Sequence, residues 1–386
     1  MVRLVRSGES MHRVADRLGV SPSTVSFWVA RACGVRLDRA DFSSGKPGAV
    51  RGWNRVAESV EQRIAELRSA LREHSVLGEY GAFAIHTALQ AEMASAIPSI
   101  AAINRVLARR GLLDGVRRIR RPAPPKGWYL PLVAAGGAEI DCFDFIEDLK
   151  IVDGPLVDVL TGKALHGALT DAWVLEQMSA KATVPCLMAR WGRDGLPAYA
   201  QFDNATQFQG AHQFANAVGR VSRLCLQLGI TPVFVPPLEH GMQNTIESFN
   251  GLWQAKVWQR HRVANMAELQ ARSDAYIAAH RARNRALADA APQRWQMPAG
   301  FRFNPHAPLS GVMIFIRRTD QTGHVHMLGQ RFPVSAHWLH RLVRCEVDFD
   351  HRCIRCFGLR RHAPTEQPLL ATMPYHRTDK PFEGDL

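Results

Sequence analysis

The sequence predicts a multidomain chain with all-α units at its N-terminus, an α/β unit at its centre and a small β-barrel at its C-terminus. Three observations carry that expectation. Apolar residues recur at helical spacing through residues 11–112. From Ala138, strand-like stretches alternate with helix-like ones, the pattern of an α/β layer. From Gly311, short strand-like runs follow one another with turns between them.

In the first stretch, Met11, Val14, Ala15 and Leu18 mark one helix face, and Gly19-Val20-Ser21 makes a turn. Ser21 or Ser23 can cap a second helix that runs through Thr24–Arg31, with Pro22 in its first turn. Helix, tight turn and second helix form a helix-turn-helix, whose second helix enters the DNA major groove. Ser23, Thr24, Ser26 and Arg31 are candidate DNA contacts, whereas Val25, Trp28 and Val29 face inward. Any helix supporting this motif must be short or formed by residues 2–7. The unit spans 1–33, and 34–54 is a linker rich in Gly, Ser, Pro and basic residues.

A second helical unit, 55–115, has Val60, Ile64, Leu67 and Leu71 on one face. It ends in another helix-turn-helix-like segment with its recognition helix near 99–110, where Asn104, Arg105 and Arg109 are candidate contacts. Residues 116–135 open with VRRIRRPAPPK, an extended basic linker. Arg117, Arg118, Arg120 and Arg121 there can track a DNA backbone. The α/β unit follows over 136–290, then a linker over 291–310, the small β-barrel over 311–361 and a loose tail over 362–386.

Charge is segmented along the 386 residues. Residues 1–135 carry 21 Lys/Arg against 11 Asp/Glu, 136–258 carry 8 against 13, and 259–386 carry 19 against 11. Basic arms around an acidic centre suit a protein whose ends neutralise phosphates and whose middle holds cations. No run of about 18 apolar residues is present, so no membrane span is expected. MVRLVRSGES lacks the apolar stretch of a secretory signal, which points to the cytoplasm. The seven cysteines are scattered and odd in number, which does not describe a disulfide framework. Cys353 and Cys356 form the one CxxC; with His351 and His362 nearby a zinc site is conceivable, but no second pair stands at metal spacing.

Three acidic stretches stand out in the centre: Glu139-Ile140-Asp141-Cys142-Phe143-Asp144, Gln201-Phe202-Asp203-Asn204-Ala205-Thr206-Gln207-Phe208 and Asn244-Thr245-Ile246-Glu247-Ser248-Phe249-Asn250. Asp141 lies in a strand, Asp203 ends one, and Glu247 lies in the first turn of a helix beside the stripe Ile246, Phe249 and Trp253. Carboxylates from two strands and a helix can hold a hard divalent cation if the strands are neighbours. A lone Asp is more often a cap or an ion-pair partner, so the case rests on the combination.

That combination resembles the DDE transposase and retroviral-type integrase superfamily, with its ribonuclease H-like catalytic core. Asp203–Phe208 looks like the family's second-Asp motif, and Asn244–Asn250 looks like its Asn-x-x-Glu-x-Phe-Asn helix. The likeness covers 136–290, and the flanking units match the layout of bacterial insertion-sequence transposases. Ala205 replaces the usual Gly, Ser248 a common Arg, and 43 residues separate Asp203 from Glu247, more than the family's usual spacing. Asp144 rivals Asp141 for the first position; Asp141 is taken because Glu139-Ile140 occupies the place of the family's Trp-x-apolar lead, although the Trp itself is missing.

The resemblance implies a polynucleotidyl transferase in which Asp141, Asp203 and Glu247 hold two Mg²⁺ or Mn²⁺ ions, with no separate organic cofactor. Water would cleave the element's end to leave a 3′-OH, which would then attack target DNA. It implies double-stranded DNA and further copies of the chain as partners, no membrane, and a bacterial cytoplasm with the nucleoid as its place of work. Lys256, nine positions after Glu247, is a further candidate DNA contact. Two other classes stay open: a DNA-binding regulator or domesticated relative without transposition, and a metal-dependent nuclease.

Overall fold

The computed structural model describes residues 1–43, 56–92, 97–113, 126–210, 214–237, 241–361 and 363–376. Arg117, Arg118, Arg120 and Arg121 lie outside them.

The chain begins with α1 (Val2–Arg6), α2 (Met11–Leu18) and α3 (Pro22–Arg31). Side chains of Ser10 and Ser21 cap α2 and α3 by accepting from the backbone N–H of Arg13 and Thr24, and Gly19 ends α2 at φ 62°. Val14, Ala15 and Val25 form the buried centre of this unit. Next come α4 (Glu58–His74), α5 (Ala82–Glu92) and α6 (Ile100–Arg109), packed around Ile64, Ile85, Leu89, Ile103 and Leu107. Ser99 caps α6.

After the short α7 (Pro131–Ala134) the α/β part runs β1 (Ile140–Lys150), β2 (Leu156–Ala164), β3 (Thr170–Leu175), α8 (Ala180–Asp194), β4 (Tyr199–Phe202), α9 (Thr206–Gln209), α10 (Arg220–Gln227) and β5 (Thr231–Phe234). Then come α11 (Asn244–Trp253), a π-helical turn (Gln254–Trp258), α12 (Met266–Arg283) and α13 (Arg285–Asp289). The C-terminal strands are β6 (Val312–Arg318), β7 (His324–Met327), β8 (Gln330–Pro333), β9 (Leu342–Asp348), β10 (Cys353–Gly358) and β11 (Leu369–Pro374).

Nine strands form one sheet in the order β11-β10-β9-β6-β5-β4-β1-β2-β3, and β7 and β8 form a hairpin of their own. β1, β2 and β3 pair antiparallel, while β4 is parallel to β1, β5 to β4 and β6 to β5. Alternation along the strands splits the core between the two faces. Phe143, Phe202, Phe234 and Phe315 join Leu187, Trp191 and Leu224 of α8 and α10 on one side. Ile140, Cys142, Val233 and Ile314 join Ile246, Phe249 and Trp253 of α11 and Tyr276 of α12 on the other.

This corrects the expected separate barrel: β6, β9, β10 and β11 extend the central sheet instead of forming a sheet of their own. The physical reason is visible in β6, where Met313, Ile314, Phe315, Ile316 and Arg317 are buried in succession. A strand apolar on both faces needs cover on both, which a place beside β5 supplies. The expected tail also contains β11, paired with β10.

Candidate active site

β1 carries Asp141 and Asp144 three residues apart, so their side chains leave opposite faces of the sheet. Asp141 points to the α8 side and is fully buried. Arg190 donates to both of its oxygens at 2.9 Å. Arg294 does the same at 3.0 and 2.8 Å, and the Trp191 indole donates at 3.1 Å. Burial opposes its charge, but Arg190 and then Arg294 outweigh it and hold the carboxyl well below the usual range. The network continues through Asp171 and Asp194 to Arg193 and Arg281. Asp141, expected as the first metal-binding carboxylate, therefore ties β1 to α8 and to the segment after α13, its oxygens shared between two guanidinium groups and an indole.

Asp144 points to the α11 side and is half-buried. The parallel register sets Asp141 opposite Ala200 and Cys142 opposite Gln201. Carried along the two strands, that register sets Asp144 level with Asp203, just past the end of β4. The Asn250 amide donates to Asp144 Oδ2 at 2.8 Å, and Thr161 of β2 donates to Asn250 Oδ1 at 2.6 Å. Asn250 lies three residues after Glu247 on α11, so this bond ties the helix that carries Glu247 to the strand that carries Asp144. Burial pushes the Asp144 carboxyl up to about 7, and the charges of Asp203 and Glu247 add to the effect. Glu147 is raised too, by burial and then by Asp158, Asp148 and Asp203. Asp144 thus lies within electrostatic reach of Asp203 and Glu247, on the opposite face of β1 from Asp141. Strand parity held the signal for this: Asp144 shares its face with Cys142, against α11, and Asp141 does not.

Asp203 Oδ1 accepts from the Ala205 backbone N–H at 2.9 Å, shaping the turn after β4. Asn204 donates to the Val235 carbonyl and accepts from Arg317 of β6 at 2.7 Å. Arg317 went unnoticed in the sequence because β6 was read as part of another unit. Glu247 is exposed. Among the described residues, no three His, Cys, Asp or Glu side chains are grouped closely enough to hold a metal ion.

The candidate DNA contacts fare unevenly. Ser23 and Ser26 are exposed, while the hydroxyls of Ser23 and Thr24 hydrogen-bond the Ser21 cap. Arg31 pairs with Asp41, and Arg109 with the buried Glu61. Asn104 is exposed, and Arg105, also exposed, bonds the Ala101 carbonyl of its own helix. Lys256 donates to the Gly78 carbonyl and lies over the Tyr80 ring, so it holds the α4–α5 loop. Cys353 and Cys356 do not form a ligand pair: three residues apart on β10 they leave opposite faces, and Cys356 meets Cys345 at 3.4 Å in the core. Among the described residues no helix is long and apolar enough to cross a membrane.

No family model and no curated protein matches the chain. Solved structures similar to it include the catalytic core domain of BIV integrase, 16% identical over 37% of this chain and 83% of that one, with a TM-score of 0.29. The simian T-cell lymphotropic virus intasome, in complex with PP2A regulatory subunit B56 gamma, is 14% identical over 73% and 88%, with a TM-score of 0.31. The HTLV-2 integrase catalytic core domain in complex with magnesium is 11% identical over 40% and 86%, with a TM-score of 0.27. Identities and TM-scores this low leave the chemistry to be argued from the chain's own residues.

Proposed function

We propose that this chain is a DNA transposase of the integrase type, a polynucleotidyl transferase that cleaves element ends and joins their 3′-OH groups to target DNA. The carrying observation is the bond from Asn250 to Asp144, which sets the Glu247 helix over the strand whose register brings Asp144 level with Asp203. Asp144 takes the place first given to Asp141.

The donor set is all oxygen and net negative; the Asp144 carboxyl is raised chiefly by burial, with the charges of Asp203 and Glu247 adding to it. Such a set fits hard divalent cations, Mg²⁺ or Mn²⁺. Two ions, when bound, activate the attacking oxygen and stabilise the leaving one. Asp144, Asp203 and Glu247 would hold them, drawn closer together than they stand here. Thr161 fixes the Asn250 amide, whose N–H then keeps the Asp144 carboxylate from turning away. The Ala205 N–H does the same for Asp203. In the first step water displaces the 3′ oxygen at phosphorus; in the second, that 3′-OH attacks a target phosphodiester and displaces another 3′ oxygen. The two N-terminal helical units and basic arms suit a DNA partner, and pairing two ends suits more than one copy of the chain.

The test is joining of a labelled 3′ end to a target plasmid with Mg²⁺ or Mn²⁺. Wild type is expected to join, and Asp203→Asn to lose joining while binding end DNA within a fewfold of wild type. Hydrolysis without joining would make the protein a nuclease, and equal joining by Asp203→Asn would remove the metal assignment.

A further inference from the structure

β6 places a cation where no anion of the described residues meets it. Arg317 is 6% exposed, and among the described residues no carboxylate pairs with it. Its guanidinium is held by neutral acceptors: Nε donates to the His326 carbonyl at 3.1 Å. Nη1 donates to the carbonyls of Ile316, Val235 and Phe234 at 2.9, 3.2 and 3.3 Å. Nη2 donates to Asn204 Oδ1 at 2.7 Å, one acceptor for two hydrogens. Burial draws the Arg317 pKa down to about 10. A buried charge without a counter-ion is costly, and such charges cluster at functional sites.

Arg317 lines a cavity of about 460 Å³ with Asn204, Gln209, His326 and Gln330. Gln209 is 4% exposed, and among the described residues its Oε1 has no hydrogen-bond partner. The cavity therefore offers positive charge with a donor to spare, and a buried acceptor that lacks a donor. A simple anion would answer only the first, and water would reach both groups but leave the positive charge unmatched. A nucleotide answers both, with a phosphate for Arg317 and a base or sugar N–H or O–H for Gln209. Asn204 forms one wall and directly follows Asp203, so an occupant would lie against the turn after β4.

We infer that this cavity binds one nucleotide of the DNA strand entering the active site, with Arg317 taking its phosphate and Gln209 reading a donor on its base or sugar. The inference rests on the reading of the site as one that acts on DNA. It also makes β6 a working part of the site, since the same arginine fixes the Asp203 turn through Asn204.

The experiment is a titration of the full-length protein with labelled end duplex at several salt concentrations, with EDTA to prevent turnover. Arg317→Met is expected to melt no lower than wild type, to bind DNA more weakly, and to flatten the slope of log K against log salt by about 0.9, the loss of one phosphate contact. Gln209→Met is expected to bind about fivefold more weakly with an unchanged slope, the loss of one hydrogen bond. Wild-type affinity in Gln209→Met, or a wild-type slope in a folded Arg317→Met, overturns the nucleotide site. If Arg317→Met does not fold, Gln209→Met decides alone. Wild type that binds DNA in this titration but never joins ends breaks the proposed function and leaves the cavity to be judged by the variants.

Discussion

The two faces of β1 treat the same side chain in opposite ways. On the α8 face, Asp141 is closed off from solvent and its oxygens are shared between two guanidinium groups and an indole. On the α11 face, Asp144 accepts from the Asn250 amide and the Phe145 backbone N–H and feels the charges of Asp203 and Glu247. The first arrangement satisfies its charge and stores stability. The second leaves charge unsatisfied, which under the proposed function is what draws a cation. A sequence shows both as an aspartate in an apolar strand; the helix packed on each face gives them different chemistry.

Exchanging each aspartate for its amide separates the two faces. Asp144→Asn is expected to lower 3′-end joining by a factor of about 10³ or more, because an ion loses a charged ligand at the reacting phosphate, and to leave the thermal midpoint at neutral pH no lower than wild type. Asp141→Asn is expected to do the reverse to the fold. It strands Arg190 and Arg294 at a buried site, which costs about 3–5 kcal/mol, read as a lower denaturant midpoint. Protein that stays folded should still join ends. A stable but inactive Asp141→Asn, or a fully active Asp144→Asn, would invert the comparison.

The parts legible in the sequence are those set by local rules. Ser10, Ser21 and Ser99 sit where caps are needed, and Gly19 where a left-handed residue ends a helix, so both N-terminal units follow from pattern. Asp203 and Glu247 came from short motifs at a strand end and in a first helical turn. What failed depends on partners far along the chain. Asp141 could not be separated from Asp144 without the face on which Arg190 and Arg294 arrive, from 49 and 153 residues away. The C-terminal strands were read as a barrel because short strands with turns fit several β architectures, and only pairing with β5 chooses among them. Arg317 reads in sequence as one more basic residue; its burial makes it a site residue.

Asn250 tests the α11 face at a finer level. It touches no reacting atom in this arrangement and acts through Asp144, so it is a positioning residue. Asn250→Ala is expected to weaken Mn²⁺ binding and joining about 10–100-fold, as loss of a partner behind a metal ligand does. Asn250→Asp, which puts a carboxylate against Asp144, should be worse than Ala at high Mn²⁺. Equal loss in both variants with wild-type metal affinity would reduce Asn250 to a packing role.

The smallest effect expected is on stability against pH, and it has a definite sign. The Asp144 carboxyl is raised from 3.8 to about 7 in the folded chain, chiefly by burial and then by Asp203 and Glu247. A raised carboxyl binds its proton more tightly in the folded state, so its contribution is fully present below about pH 4 and lost as pH rises through about 7. Metal-free wild type should therefore lose stability relative to Asp144→Asn across that window. The variant should be the more stable by on the order of 2 kcal/mol at pH 8, and the two should converge near pH 4. Adding Mg²⁺ should restore wild type and leave Asp144→Asn little changed, because the cation relieves the repulsion that the amide lacks. Denaturation curves at pH 4 and pH 8, with EDTA and with Mg²⁺, read all four states. A wild type that stays ahead of the variant at pH 8 in EDTA would place Asp144 with Asp141, as a carboxylate whose charge the fold already satisfies.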